Sequence, residues 1–324
     1  MLEEKNQVTY EGVIEARKIV VQHLKETQLI YYKSLSDLIG ARVYIKHENH
    51  NPGGSFKIRG GINTLSKLKD QGISGVITFS TGNHGISVAS AAKIFGLEAV
   101  VVVPVGNNPA KNKLIRDAGA TLVEAGTSFE EAAAHVSQLS KDRQLYYIHA
   151  ANEPEIIHGV ATEFLEIYEA LPEVDMVILP IGAGSEVAGA ITVFDQVKAE
   201  VEIVAVQAEE ACAAYKSWKR GEITSSSNTT FAGGFATGTA YELPFSIYKN
   251  RLSDFVLLTE AEIEEGVRLG IQHTKNLAEG SGASTIAAAL KIKDHLKGKT
   301  VVLQMSGCNI AMANLIEIIN SVDN

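Results

Sequence analysis

Four short segments of this 324-residue chain bring together residue types able to do chemistry. In His50-Asn-Pro-Gly-Gly-Ser-Phe-Lys-Ile-Arg-Gly60, a proline and two glycines make a tight turn, and Ser55 is a natural cap for the helix that follows. Lys57 then falls in the first helical turn, where the exposed N–H groups disfavour a cation. A lysine whose ammonium form is disfavoured can act as a neutral amine, the state needed for a Schiff base or a general base. A solvated lysine beside a capped helix has the same pattern. The second segment is Ser80-Thr-Gly-Asn-His-Gly85, at the carboxyl end of a strand-like run. Its hydroxyls, amide and N–H groups at a helix start suit a carboxylate or a phosphate, and an ordinary strand-to-helix turn shares the outline.

The third segment, Pro180-Ile-Gly-Ala-Gly-Ser-Glu-Val-Ala-Gly189, also joins a strand to a helix. Small residues let the main chain close around a phosphate. The G-x-x-x-x-G-K nucleotide pattern is absent, and Val187 breaks the dinucleotide pattern that Gly182 and Gly184 begin. A phosphate-bearing group other than a nucleotide, or a structural turn, both stay open. The fourth segment, Gln304-Met-Ser-Gly-Cys-Asn309, ends a strand, and Ser306 offers either a neutral hydroxyl for a ligand or an ordinary strand-end serine.

The elements that must position these loops alternate along the chain. Helical spacing over 11–24 precedes a strand at 41–46. The run Gly75 to Ser80 is a strand, followed by a helix from about Gly85 to Phe95 that Gly96 closes, and by a strand from Glu98 to Pro104. Helices at 108–118 and 128–140 flank a strand at 120–125. Further strands are read at 175–180, 202–207, 256–258 and 300–305, with a helix from Glu186 and another at 260–274, where Thr259 and Glu262 match a capping box. Continuous apolar strands between helices predict a doubly wound α/β fold with mostly parallel sheets. Residues 222–241, rich in Ser, Thr, Gly and Ala, have no periodicity and read as a functional, mobile or inconsequential surface loop.

Composition narrows the function. The net charge of −9 argues against a protein that holds nucleic acid through phosphates. Two cysteines make neither a disulfide framework nor an unaided zinc site, and no histidine has a trusted metal-ligand spacing. The acidic start MLEEKNQVTY is unlike a signal peptide, and no run approaches the ~20 apolar residues of a membrane span. A cytoplasmic protein with no membrane or nucleic-acid partner is expected.

Together the loops supply an amine, a carboxylate nest, a phosphate nest and a neutral hydroxyl. That set suits a phosphorylated carbonyl cofactor handling amino acids, and pyridoxal phosphate has these attachment points. From about Ile14 to Asn309 the sequence resembles the fold-type II pyridoxal-phosphate enzymes, in particular the threonine/serine dehydratase and serine racemase group. The pairing of Ser-Phe-Lys-Ile-Arg-Gly with Ser-Thr-Gly-Asn-His-Gly carries most of that resemblance.

The resemblance implies two doubly wound domains, a large cofactor-binding one from 1–52 and 150–324 and a small substrate-closing one from 53–149. It also implies that Lys57 holds the cofactor and acts as the catalytic base, with Phe56 beside the ring and Asn83 at the phenolic oxygen. Ser80, Thr81, Gly82, Asn83 and His84 would hold the substrate carboxylate. Gly182, Ala183, Gly184, Ser185 and Glu186 would hold the phosphate, Ser306 would meet the pyridine nitrogen, and Glu279 would be the acid of a segment near the cofactor. The activity implied is elimination of water from a hydroxy amino acid such as L-threonine or L-serine, giving a 2-oxo acid and ammonia, in a homodimer.

Departures are visible. Ala183 and Ser185 interrupt a glycine-rich loop, and Thr81 stands where racemases place a serine. Gln207 and Ala213 replace acidic residues of metal-binding members, so no metal is expected, and Cys308 replaces a glycine. Racemisation, dehydration of threo-3-hydroxyaspartate and threonine synthase-like replacement are the alternative reactions. A non-enzymatic amino-acid sensor is the rival from another class, against which an intact Lys57 argues.

Overall fold

A computed structural model describes residues 7–127 and 129–321, so residues 1–6, read above for targeting, and residue 128, the expected start of one helix, lie outside the described residues. Among the described residues ten strands run β1 Leu29–Tyr31, β2 Arg42–Lys46, β3 Gly75–Phe79, β4 Glu98–Val103, β5 Thr121–Glu124, β6 Tyr146–Tyr147, β7 Met176–Pro180, β8 Glu202–Ala208, β9 Asp254–Leu258 and β10 Thr300–Gln304. The chain divides into two compact units.

One unit comprises residues up to 25 with 56–160. Its sheet has the order β5-β4-β3-β6, with every pair parallel. Strands β3 and β4 are Val/Ile-rich and almost wholly buried, as expected where helices cover both faces. The order puts the loops after β3 and β6 side by side at the carboxyl edge. The helix Tyr10–Val20 belongs here, whereas the sequence groups residues 1–52 with the second half of the chain. Its Val13, Ala16 and Val20 are buried, Val20 in one cluster with Phe56, Ile62 and Leu65, and the Thr9 N–H donates to His158 Nε2 at 3.0 Å.

The other unit comprises residues 26–55 and those from 161 onward. Its sheet has the order β1-β2-β10-β7-β8-β9, parallel except for the β1–β2 pair. Because β2, β10 and β7 are adjacent and parallel, the loops 47–55, 305–309 and 181–184 leave the sheet from neighbouring strands at the same edge. The helix Glu260–Thr274 carries the expected capping box between Thr259 and Glu262, and the helix Ser185–Val197 follows β7 directly. The doubly wound α/β fold with mostly parallel sheets is as read from the sequence.

A buried ion pair spans this second core. Lys46 Nζ lies 2.5 Å from Glu166 Oε2, with the side chains 1% and 7% exposed, and also donates to the Thr27 carbonyl at 3.0 Å. Removing one partner of such a pair leaves an uncompensated buried charge. Glu166→Gln is therefore expected to lower the unfolding free energy by about 3–5 kcal/mol, and the apolar double replacement Lys46→Met/Glu166→Leu to lose less than that, as read by denaturant unfolding.

Burial weakens proton binding at three imidazoles. Burial, reinforced by His50 and Lys46, holds His47 down to about 4; burial, reinforced by Lys57 and His149, holds His84 down to about 3; burial lowers His149 as well. Unfolded histidines take up protons near pH 6.5 and these folded ones bind them less readily, so the unfolded state binds more protons below that pH. Stability should fall as the pH is lowered from 6.5 towards 4. Thermal melting across that window checks it, and a flat profile would contradict the burial of these rings.

Candidate active site

In the first unit the helix Lys57–Asp70 begins at the expected lysine. Ser55 is not its cap: Phe56 already has helical angles of φ −56° and ψ −25°, and no side chain caps the helix. The Ser55 backbone is committed elsewhere, to an antiparallel bridge with Gly307 in the second unit's own fold. Lys57 is half-buried, its Nζ lies 4.5 Å from the centre of the Phe56 ring, and its carbonyl accepts the Ser87 hydroxyl at 2.6 Å. Arg59, in the first turn of the helix, is fully buried.

The helix Asn83–Phe95 starts two residues earlier than read from the sequence. Ser80 Oγ accepts from the N–H groups of Gly85 at 2.9 Å and Gly82 at 3.3 Å, so this hydroxyl works as a local cap. Thr81 is exposed, Gly82 and Asn83 are half-buried, and His84 is buried. An imidazole that stays neutral to about pH 3 cannot form an ion pair with a carboxylate in solution near neutrality. An anion at this loop would meet hydroxyls, an amide and helix-start N–H groups instead.

In the second unit, Ile181 extends the β7–β8 pairing by donating to the Val206 carbonyl at 2.8 Å, and the chain then turns through Gly182, Ala183 and Gly184. Gly184, at φ 95° and ψ 1°, precedes the helix Ser185–Val197, whose Ser185 and Glu186 are buried. A Cβ on Gly182 would overlap the Gly234 carbonyl oxygen, and one on Gly184 would stand 2.7 Å from Pro244 Cβ. Thr237 Oγ1 donates to the Gly182 carbonyl at 3.4 Å.

The aperiodic stretch 222–241 thus walls the glycine turn. It contains no helix or strand beyond a bridge between Ser225 and Thr239. Sequence reasoning marked the stretch but not Gly234 or Thr237 within it. Only their glycine and threonine content among small residues was visible there.

Ser306 is 4% exposed at the end of β10. The main chain on both sides of it is fixed: Met305 N–H donates to Lys46 O at 2.9 Å, and Gly307 bridges Ser55 and accepts from the Glu279 N–H at 3.0 Å. Cys308 is half-buried, with its thiol donating to the Asn49 carbonyl at 3.5 Å. Burial, then the nearby Glu279 charge, pushes that thiol up in pKa, which disfavours the reactive thiolate. Gln207 is buried, and its side-chain oxygen accepts from the Tyr215 N–H at 3.1 Å. Among the described residues no group of three or more His, Cys, Asp and Glu could hold a metal ion.

These residues suit the expected cofactor. The turn 182–184 exposes main chain at a helix start with its glycine positions closed to any side chain, as a phosphate requires. The amine, the neutral hydroxyl and the carboxylate-type loop are each presented at a strand or helix end.

Comparison with known proteins agrees. A family profile described as "Pyridoxal-phosphate dependent enzyme" matches residues 20–307. The chain is 33% identical to an L-threonine ammonia-lyase of Thermotoga maritima over 97% of its own length and 78% of that protein. It is 32% identical to the catabolic L-threonine dehydratase of Escherichia coli over 98% and 97%, and 31% identical to the serine racemase of Dictyostelium discoideum over 97% and 98%. Among solved structures, maize serine racemase superposes with a TM-score of 0.90 at 25% identity, covering 98% of each chain. The processed threonine deaminase isoform 2 of Solanum lycopersicum does so with a TM-score of 0.90 at 30% identity, covering 97% and 88%. The fold is that of the fold-type II group, and the chain belongs to the family of pyridoxal-phosphate dependent enzymes.

Proposed function

We propose that this enzyme removes water from a hydroxy amino acid such as L-threonine or L-serine, releasing a 2-oxo acid and ammonia. The observation that carries the reading is Lys57 at a helix start together with a Ser80–His84 loop whose one imidazole is held neutral. The similarity over nearly the whole chain to proteins named threonine ammonia-lyase and dehydratase supports it.

Bound pyridoxal phosphate supplies an electron sink conjugated to the substrate Cα. Lys57 Nζ would hold the cofactor and is the amine that would serve as base toward the Cα proton. Its place in the first helical turn favours the neutral amine that this proton transfer needs. Phe56 would pack beside the ring, and Asn83 would donate to the phenolic oxygen. Ser80, Thr81, Gly82, Asn83 and His84 orient the substrate carboxylate through hydrogen bonds, since no charge on His84 is available for it. The N–H groups of Gly182 to Glu186 would hold the phosphate. Ser306 gives the pyridine nitrogen a neutral hydroxyl, which does not stabilise ring protonation as a carboxylate would; a weaker sink favours elimination over longer-lived carbanion chemistry.

A second reading, amino-acid racemisation, is supported by the similarity to a protein named serine racemase, while Thr81, in place of the racemases' serine, weighs against it. Assays on L-threonine, L-serine and threo-3-hydroxyaspartate separate the readings. Release of a 2-oxo acid from threonine or serine is expected. Decay of optical rotation without that product would favour the racemase instead. Lys57→Ala is expected to lower turnover by about 10²–10⁴-fold or more while the circular dichroism of the fold is kept.

The accompanying proposal is a cytoplasmic homodimer with no nucleic-acid partner. The free Cys212 and Cys308 fit a reducing compartment, and the net charge of −9 fits the lack of a polyanion. Sedimentation equilibrium should return twice the 34.7 kDa chain mass, and a monomer at every concentration would refute the dimer.

A further inference from the structure

We infer that Tyr248 is a positioning residue for the glycine turn 182–184, its hydroxyl donating to a carbonyl of that turn when the turn closes on a phosphate. The inference rests on reading that turn as the phosphate site. Tyr248 ends the helix Glu242–Tyr248 and is 1% exposed. Its ring is fixed against Phe245, edge to face, with centroids 5.5 Å apart and planes at 85°. Its Cε1, the carbon next to the one that bears the hydroxyl, lies 3.6 Å from where a Cβ on Gly184 would stand. Pro244, from the same helix, closes the other side of that position.

The hydroxyl is inaccessible to water, and among the described residues no group accepts from it. Buried tyrosine hydroxyls usually find a partner, and one left without is costly enough to need a reason. Burial raises the phenol's pKa, so the group remains an O–H donor at every physiological pH. A turn that directs its N–H groups at an anion directs its carbonyls to the opposite side, towards the packing residues behind it. Tyr248 is a donor without an acceptor at that place. The Gly182 carbonyl has a weak partner already, the Thr237 hydroxyl at 3.4 Å, and can rotate towards a better one. A hydrogen bond formed only in the phosphate-bound conformation favours that conformation and so adds to phosphate affinity.

Tyr248→Phe removes one oxygen and keeps the ring packing. The cofactor-free full-length variant is expected to melt at the same temperature as the unaltered protein or higher, because an unsatisfied donor is gone. Its affinity for pyridoxal phosphate and for inorganic phosphate should fall about three- to tenfold, and its affinity for pyridoxal, which lacks the phosphate, should not change. Unchanged affinity for pyridoxal phosphate and phosphate would overturn the inference while leaving the proposed function intact, and so would an equal loss for pyridoxal. Failure of the unaltered protein to bind pyridoxal phosphate would overturn both.

Discussion

A phosphate can be gripped by main-chain N–H groups only where no side chain stands between them and it. The turn from Gly182 to Gly184 meets that condition by close packing rather than by looseness. The Gly234 carbonyl fills the space a Cβ on Gly182 would need, and Gly184 has both a positive φ and Pro244 against it. The rest of the second unit follows from holding this turn. The Val/Ile/Ala-rich strand β8 fixes its entry through Ile181, the helix Ser185–Val197 supplies its N–H groups, and the stretch 222–241 gives up periodicity in order to lie flat against it. The departures at Ala183 and Ser185 are tolerated because the two positions with no room remain glycine.

The first unit presents an amine at one helix start and, at another, a loop of hydroxyl, amide and N–H groups whose imidazole stays neutral. Lys57 sits at a helix start, over the Phe56 ring, with its carbonyl tied down by Ser87. The loop after β3 uses its serine to cap its own helix and buries its histidine in neutral form. Burial keeps His84 from taking up a proton, with smaller contributions from Lys57 and His149. A reaction that begins with proton transfer to an amine gains from such a neutral surrounding, because little competes with Lys57 for the proton.

Much of this was legible in the sequence. Buried parallel strands read as uninterrupted Val/Ile runs, the capping box at Thr259 and Glu262 has a local signature, and each glycine turn lies between a strand and a helix. What was not legible depended on residues distant in the chain. Ser55 has the chemistry of a helix cap, and only its pairing with Gly307, some 250 residues on, takes it out of that role. Residues 7–25 carry an ordinary amphipathic helix, and nothing local reveals that its apolar face is buried with the 56–160 segment. Arg59 has a surface residue's composition but is fully buried. Gly234, Thr237 and Tyr248 matter through what they touch, which no spacing encodes. Cys308 has a structural account in its bond to the Asn49 carbonyl.

The central claim is that Lys57 is the residue to which the cofactor is attached. Reduction of the cofactor-loaded protein with borohydride, digestion and mass spectrometry of the peptides tests it most directly. The account predicts one stable phosphopyridoxyl group, on the peptide that contains Ser55-Phe-Lys57-Ile-Arg59. A label on another lysine, or an unlabelled peptide from a protein saturated with the cofactor, would contradict it.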